Sequence, residues 1–361
     1  MSAWRNFAAA SARLLGLQDR GVAASGGGAS AADALAYAEA LAADGRILDA
    51  IAYATEQNRR FHDGTLEWRL VQWRREAFAS LGTPVPRPDW PPALPDPFPG
   101  LQGLPEIAAD ELTAEIMGGS ILHHGCLVVR GLLTKPEAEH FVEGIDKALE
   151  ACADSRAGAS MEDTLPWYAQ TPIGDDPSRD FLYPRGVLTA ESPRMLFELL
   201  ELFQKRRIIQ VIGEYLGERP ALSVKKCTLR KVPVIPVTSW HQDGAFLGSE
   251  TRTVNAWVAL SHCGVDAPSL DIVPRRIPYV VQTGSHGSFF DWAVGDKMVE
   301  IAAEGTPVIM PVFEPGDAVL FDHLFLHRTG VRPDMSTHRY AIESWFFAPS
   351  TYPHDRLPLV I

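Results

Sequence analysis

The chain has 361 residues, of which 46% are hydrophobic and 22% are charged, as in a typical globular protein with a sizeable core. Its formal net charge of −12 argues against general nucleic-acid binding, because neutralising phosphates requires clustered cations. No apolar run reaches the roughly 20 residues that a membrane-spanning helix needs, so we expect no membrane span.

The four cysteines are widely spaced and form no C-x-x-C pair. They are Cys126, Cys152, Cys227 and Cys263. This spacing does not fit a disulfide scaffold or a zinc ribbon, and it predicts buried free thiols in a reducing compartment. We therefore expect a cytoplasmic protein.

Residues 1–30 are predicted to form a flexible or amphipathic tail. They combine arginines with aromatic and leucine residues and continue into a Gly/Ser/Ala-rich stretch. A short amphipathic anchor or an organelle presequence would have such a composition, and so would a frayed tail or a docking helix. The segment lacks the apolar core of a secretory signal.

Residues 31–82 are predicted to form a small helical module. Leu35, Ala38 and Leu41 recur at helical spacing before Gly45, and two further apolar stripes follow. Such a module could dock a protein partner. Residues 83–100 are rich in proline and predict an extended linker, whose Trp90 and Phe98 indicate that it lies against a surface.

Residues 101–361 are predicted to form the main domain, mainly β with flanking helices. Helices are expected at 110–122 and 136–152, with the buried strand Cys126–Arg130 between them. From Leu222 onward, short β-rich runs are separated by Pro, Gly and Asp, a pattern typical of a β-sandwich or barrel.

The segment Ser239–Gly244 reads SWHQDG, and it carries the first candidate metal ligands. Side chains two apart on a strand share a face, so His241 and Asp243 are expected to point together and Gln242 away from them. With 11 histidines, roughly one His-x-Asp triplet is expected by chance, so a surface His–Asp pair is the alternative.

A distant histidine on the AVLFDHLFLHRTG segment would complete a set of two histidines and one carboxylate, which leaves three positions open on iron. His327 and His323 are both candidates. Arg339 follows His327 by 12 residues on an alternating strand, and Thr329 adds a hydroxyl. A buried arginine beside a metal implies an anionic co-substrate, whereas a structural salt bridge is the alternative role for Arg339.

The motifs WHQDG, NAWVAL, GDAVLFDHLFLHRTG and HRYAIESWFF together resemble the phytanoyl-CoA dioxygenase family, over roughly residues 105–350. The resemblance implies a double-stranded β-helix (jelly roll, cupin-like) and an Fe(II) centre that uses 2-oxoglutarate and O₂. It favours His327 over His323, because only His327 keeps the family spacing to Thr329 and Arg339. The implied site residues are the iron ligands His241, Asp243 and His327, and the 2-oxoglutarate-binding residues Arg339, Thr329 and Trp257.

The resemblance implies a dioxygenase that hydroxylates an unactivated C–H bond of a small-molecule substrate and releases succinate and CO₂. Since Asp243 is present, hydroxylation is favoured over halogenation. The alternative is a non-catalytic ligand-binding or scaffold protein of the same fold, which docks a partner through residues 31–82. We expect Lys226 and Arg230 to be solvated edge residues; contact with an anionic substrate is the alternative.

Overall fold

The computed structural model describes residues 30–81, 89–174, 177–235, 239–248, 250–288 and 290–361. The predicted tail, apart from Ser30, and the first part of the predicted linker lie outside these ranges. The helices are α1 (Ala31–Ala43), α2 (Ile47–Phe61), α3 (Gly64–Glu76), α4 (Ala114–His124), α5 (Lys135–Arg156), α6 (Met161–Thr164), α7 (Ser178–Leu182), α8 (Pro193–Lys205), α9 (Ile208–Leu216), α10 (Gly244–Leu247) and α11 (Asp296–Ala303). The strands are β1 (Glu106–Ala108), β2 (Cys126–Arg130), β3 (Gly186–Leu188), β4 (Ala221–Ser223), β5 (Thr228–Val232), β6 (Thr253–Ala259), β7 (Ser269–Ile272), β8 (Ala318–Phe321), β9 (His327–Gly330), β10 (Arg339–Phe347) and β11 (Pro358–Val360).

Helices α1 to α3 confirm the helical prediction for residues 31–82. Ser30 caps α1 in a capping box with Asp33, and the side chain of Asp63 accepts a hydrogen bond from the backbone of Leu66 at the start of α3. Both caps satisfy backbone N–H groups that the first helical turn leaves without partners. The N-terminal ends of α1 and α3 are therefore set by capping residues that the local sequence supplies.

The three helices pack on the rest of the chain through buried polar contacts. Glu67, which is fully buried, accepts hydrogen bonds from Asn58 at 3.0 Å and from the guanidinium of Arg194 at 2.7 Å. Arg74 donates to the carbonyl of Val360 at 3.0 Å. The helices thus join the body through contacts that cost free energy to break. A separate domain at 31–82 stays a prediction.

The described part of the proline-rich segment lies against the body, as expected. The ring of Trp90 is 5.2 Å from that of Tyr215, and Phe98 packs against the main core. His124 contacts Asp96 at 2.7 Å, which ties the segment to the end of α4.

A nine-stranded sheet supports the main domain, with strand order β1-β2-β8-β6-β10-β4-β11; β5 also pairs with β10 and, on its other side, with β3. Its pairings are antiparallel except β1 with β2. Along β6, Val254, Ala256 and Val258 face the helices, while Trp257 and Ala259 face the opposite side. This alternation is the one expected from the sequence.

A smaller sheet of β7 and β9 faces the large one. Isolated bridges extend it to His241, which pairs with His327, and to Ile309, which pairs with Ile272. Side chains from both sheets form one apolar cluster, including Phe321 and Trp345 of the large sheet and Ile272 of the small one. A large, mainly antiparallel sheet and a small antiparallel sheet enclose a shared interior, which confirms the predicted jelly roll with flanking helices.

All four cysteines are buried and unpaired, as expected. Among the described residues, no helix is both long and apolar enough to cross a membrane.

Substituting Glu67 with alanine should lower the free energy of unfolding by about 3 kcal/mol, because it leaves the guanidinium of Arg194 half-buried without its carboxylate. Denaturant unfolding measures this change. The matched control is Glu39→Ala, which breaks an exposed pair with Arg69 and should cost less than about 1 kcal/mol. Equal losses in the two variants would contradict the role given to Glu67.

Candidate metal centre

Three side chains converge between the two sheets. One ligand atom from each of His241, Asp243 and His327 lies within 4.8 Å of the others. In the part of the chain that the structure describes, this is the one group of three or more His, Cys, Asp or Glu residues so arranged. His323, the rival candidate, is buried but is not a member of the group.

Two reciprocal backbone hydrogen bonds fix the histidines. The N–H of His241 donates to the carbonyl of His327 at 2.9 Å, and the N–H of His327 donates back at 3.1 Å. The two imidazole rings lie 4.4 Å apart, centroid to centroid. Asp243 does not continue the strand as expected: its φ of −63° and ψ of −21° are helical, and α10 begins at the next residue. A turn at the strand end therefore aims the carboxylate at the histidines.

Both imidazoles have a fixed tautomer. Nδ1 of His241 lies 3.1 Å from the carbonyl oxygen of Ser239, and Nδ1 of His327 lies 3.0 Å from that of Phe325. A carbonyl oxygen only accepts, so each Nδ1 carries a proton, and in the neutral form of either ring the lone pair is on Nε2. Burial and the neighbouring His241 lower the pKa of His327 to about 4, so its ring is neutral at neutral pH. The Nε2 atom of His327 is thus available to bind a metal, and the hydrogen bond at Nδ1 leaves the Nε2 atom of His241 as its ligand atom.

Asp243 is buried and ionised. Burial raises its pKa, but the ammonium of Lys226 and the imidazole of His241 outweigh this, and the pKa lies below its ordinary value. The Nζ atom of Lys226 lies 3.4 Å from Oδ1 of Asp243 and 3.7 Å from the ring centroid of Phe246. The expectation that Lys226 is a solvated edge residue is wrong, because the side chain turns inward to an ion pair.

Gln242 points away from the ligands, as expected. Its side-chain amide donates to the carbonyls of Leu324 at 2.6 Å and Tyr279 at 3.0 Å, and its Oε1 accepts from the N–H of Val281 at 2.7 Å. The residue is fully buried. It therefore ties the ligand-bearing segment to two neighbouring loops.

Arg339 is a buried guanidinium with unused hydrogen-bonding capacity. It is 2% exposed, its Nη1 donates to the carbonyl of Ser269 at 2.7 Å, and its Nε has no hydrogen-bond partner. No acidic side chain within the described ranges lies in ion-pair distance, so the structural salt bridge is not found. Burial lowers its pKa to about 10, which still leaves it cationic at neutral pH. Such a group favours an anionic ligand.

Trp257 and Thr329 lie on the sheets that flank this guanidinium. The ring of Trp257 is 5.4 Å from the guanidinium carbon of Arg339 and is buried, and its Nε1 has no partner. Thr329, on β9, pairs with Leu270 on β7 and shares the face of His327, because strand side chains alternate. The structure thus places all six predicted site residues between the sheets; their roles stay predictions.

The sequence interpretation missed two residues near the centre, Glu343 and Trp292. Glu343 faces the interior from β10, where it accepts a hydrogen bond from Thr228 at 3.0 Å. The ring of Trp292 lies 5.8 Å from that of His241, edge to face, and 6.5 Å from that of Phe246. The alternation of β10 could have placed Glu343 on the interior face, together with Ala341 and Trp345. Trp292 lies in an irregular segment, whose lack of periodicity gives no prediction of its position.

A model of the phytanoyl-CoA dioxygenase family matches residues 122–332, more than half of the chain. The chain belongs to the phytanoyl-CoA dioxygenase family. This confirms the resemblance found in the motifs. The family match includes His241, Asp243, His327 and Thr329, and it ends before Arg339.

Several solved structures resemble part of this family member. EctD from S. alaskensis in its apo form has 18% sequence identity and a TM-score of 0.46, covering 73% of this chain and 84% of its own. AviO1 from Streptomyces viridochromogenes Tue57 has 20% identity and a TM-score of 0.41, covering 64% and 94%. The carbocyclase SnoK from nogalamycin biosynthesis has 17% identity and a TM-score of 0.44, covering 68% and 87%. No curated protein matches the sequence.

Replacing His327 with alanine should weaken Fe(II) binding by more than about 100-fold, because it removes one of three ligands. Removing a group that only hydrogen-bonds to a metal ligand already weakens metal binding by about 10- to 100-fold. Anaerobic calorimetric titration with Fe(II), or the absorption of bound Co(II), measures this. His323→Ala is the matched control and should bind nearly as tightly as the wild type. If His323→Ala were instead the variant that loses the metal, the assignment of the distal ligand would be wrong.

Proposed function

We propose that this family member is an Fe(II)- and 2-oxoglutarate-dependent dioxygenase that hydroxylates an unactivated C–H bond of a small-molecule substrate. The observation that carries the proposal is a two-histidine, one-carboxylate group and, between the same two sheets, a buried guanidinium that has no acidic partner within the described residues. The first part suits iron, and the second suits an anionic co-substrate.

The donor set of the triad fits iron. His241 and His327 would each offer an Nε2 lone pair, and Asp243 a charged oxygen. This combination is typical of non-haem Fe(II) oxygenases and leaves positions open for other ligands. Bound iron would supply the activation of O₂, for which amino-acid side chains have no equivalent.

Arg339 is the residue that we assign to the distal carboxylate of 2-oxoglutarate. A planar guanidinium can bind a carboxylate through two parallel hydrogen bonds, and its Nε is available for one of them. Its contact with Ser269 brings it close to Thr329, since Ser269 pairs with Gly330 on the neighbouring strand. The hydroxyl of Thr329 would donate a further hydrogen bond, and Trp257 would cover the other side.

The remaining residues position the groups and exclude water. Lys226 and Gln242 hold the ligand-bearing segment, while the aromatic side chains of Phe321 and Phe325 surround the ring of His327. A dry site strengthens the electrostatic contacts with both anionic ligands. In the overall reaction, 2-oxoglutarate, O₂ and substrate R–H give succinate, CO₂ and R–OH.

A non-catalytic scaffold that docks a partner through residues 31–82 is the alternative. The guanidinium of Arg339, which has no acidic partner within the described residues, favours the enzyme, because a scaffold has no need to keep a cation buried without an opposite charge. Succinate release distinguishes the two, and Asp243→Ala should abolish it in the enzyme.

Replacing Arg339 with glutamine should raise the 2-oxoglutarate concentration needed for half-maximal turnover by roughly 100-fold, since charge-assisted hydrogen bonds contribute about 1.5–3 kcal/mol each. Succinate formation in the presence of Fe(II) measures this. The anaerobic charge-transfer absorption that 2-oxoglutarate produces on Fe(II) reports its affinity directly.

The matched control is Arg328→Gln. Arg328 lies one residue from Thr329, but on the opposite face of β9, where its Nε lies 3.0 Å from a carboxylate oxygen of Asp271. This variant should keep the wild-type requirement for 2-oxoglutarate. An unchanged requirement in Arg339→Gln, or no absorption change in the wild type, would rule out the co-substrate assignment.

A further inference from the structure

The two adjacent cations of strand β5, Arg230 and Lys231, point to opposite sides of the large sheet. Lys231 faces the helices, where its Nζ lies 2.8 Å from a carboxylate oxygen of Asp146. Thr228 faces the interior, because its hydroxyl donates to Glu343. Arg230 lies two residues from Thr228 and therefore shares the interior face. Since β5 pairs with β3 on one side and β10 on the other, the expectation that Arg230 is an edge residue is wrong.

The fold leaves room for the side chain of Arg230. Its partner across the strand pair is Gly186 on β3. A Cβ atom added to Gly186 would lie 2.9 Å from Cδ of Arg230 and 2.7 Å from the carbonyl oxygen of Leu229. Any larger residue at position 186 would therefore displace the arginine, and the glycine preserves its position.

Arg230 is partly buried, and one nitrogen of its guanidinium has no hydrogen-bond partner. Its Nε is buried and makes no hydrogen bond, and no carboxylate in the described parts of the chain lies within ion-pair distance of it. It also lowers the pKa of Arg339, after the larger effect of burial, which indicates that the two cations share one electrostatic environment. Two neighbouring cations without an anion between them are unfavourable unless a ligand supplies one.

The charges on this interior face do not balance without a ligand. Among the described residues, the cations here are Lys226, Arg230, Arg339 and, near Lys226, Arg356; the acids are Asp243, Glu343 and Asp355, the partner of Arg356. Lys226 is paired with Asp243, and Glu343 accepts from Thr228. If 2-oxoglutarate neutralises Arg339, Arg230 is the cation left over.

We propose that Arg230 binds an anionic oxygen group of the substrate, so that the enzyme acts on small molecules that carry a carboxylate or a sulfate- or phosphate-type ester. This inference rests on the proposed function, because it assumes that 2-oxoglutarate occupies Arg339. Arg230 would be a specificity-determining residue: it holds one end of the substrate beside the metal centre.

The test uses the full-length protein loaded with Fe(II) and saturating 2-oxoglutarate without oxygen. Acetate serves as the carboxylate probe and sulfate as the tetrahedral anion probe, each compared with chloride at equal ionic strength. The rise in the unfolding midpoint with probe concentration gives an apparent dissociation constant. We expect one of the probes to bind the wild type, and Arg230→Gln to weaken that binding at least tenfold.

Two further variants make the result specific. Arg230→Lys keeps the charge without the planar fork and should bind with intermediate affinity. Arg328→Gln, which alters an arginine on the opposite face of β9 from Thr329, should bind the probe as the wild type does. The probe that binds also identifies the chemistry, because acetate favours a carboxylate substrate and sulfate a sulfate or phosphate ester.

Three outcomes would overturn the inference. They are binding of neither probe to the wild type, equal probe binding in the wild type and Arg230→Gln, and a loss of 2-oxoglutarate affinity in Arg230→Gln as large as that in Arg339→Gln. The last outcome would make Arg230 a co-substrate residue. A wild type that produces no charge-transfer absorption with 2-oxoglutarate would instead refute the proposed function itself.

Discussion

The two hydrogen bonds that His241 and His327 exchange through their backbones are the contact on which the site depends. They join two segments that lie far apart in the sequence, and they set the separation of the two imidazoles. Each ring is then oriented by a carbonyl of its own segment, two residues earlier. The backbone turn at Asp243, which follows the first segment, sets the position of its carboxylate. The backbone therefore places all three donor groups.

The second constraint on the site is the energetic cost of the cations that are buried in it. Transferring a guanidinium out of water is costly unless hydrogen bonds and an opposite charge compensate for it. Lys226 has such compensation from Asp243, whereas Arg339 has one carbonyl and a neighbouring ring. The fold therefore maintains positive charge at the ligand-facing side of the large sheet, and anionic ligands are the groups that stabilise it.

Much of this organisation follows from the sequence because strands alternate. The pattern of β6 correctly separates the helix-facing side from the side of Trp257. The preference for His327 over His323 comes from the family resemblance, and the structure groups His327 with His241 and Asp243. The turn at Asp243 cannot be predicted from the local sequence. The extended segment before it is held by a bridge between His241 and the distant His327, and the chain turns helical directly after that bridge. Arg230 is misassigned for a similar reason: nothing local shows that the short β3 covers the edge of β5.

The three hydrogen bonds of Gln242 have a consequence for how the centre is assembled. They fasten the segment between His241 and Asp243 to the loops at Tyr279–Val281 and Leu324, on the side away from the ligands. The geometry of the donors is then a property of the folded chain and does not have to be created by the ion. Such backbone-fixed donors distinguish this site from those of small zinc domains, whose chains fold only around their metal.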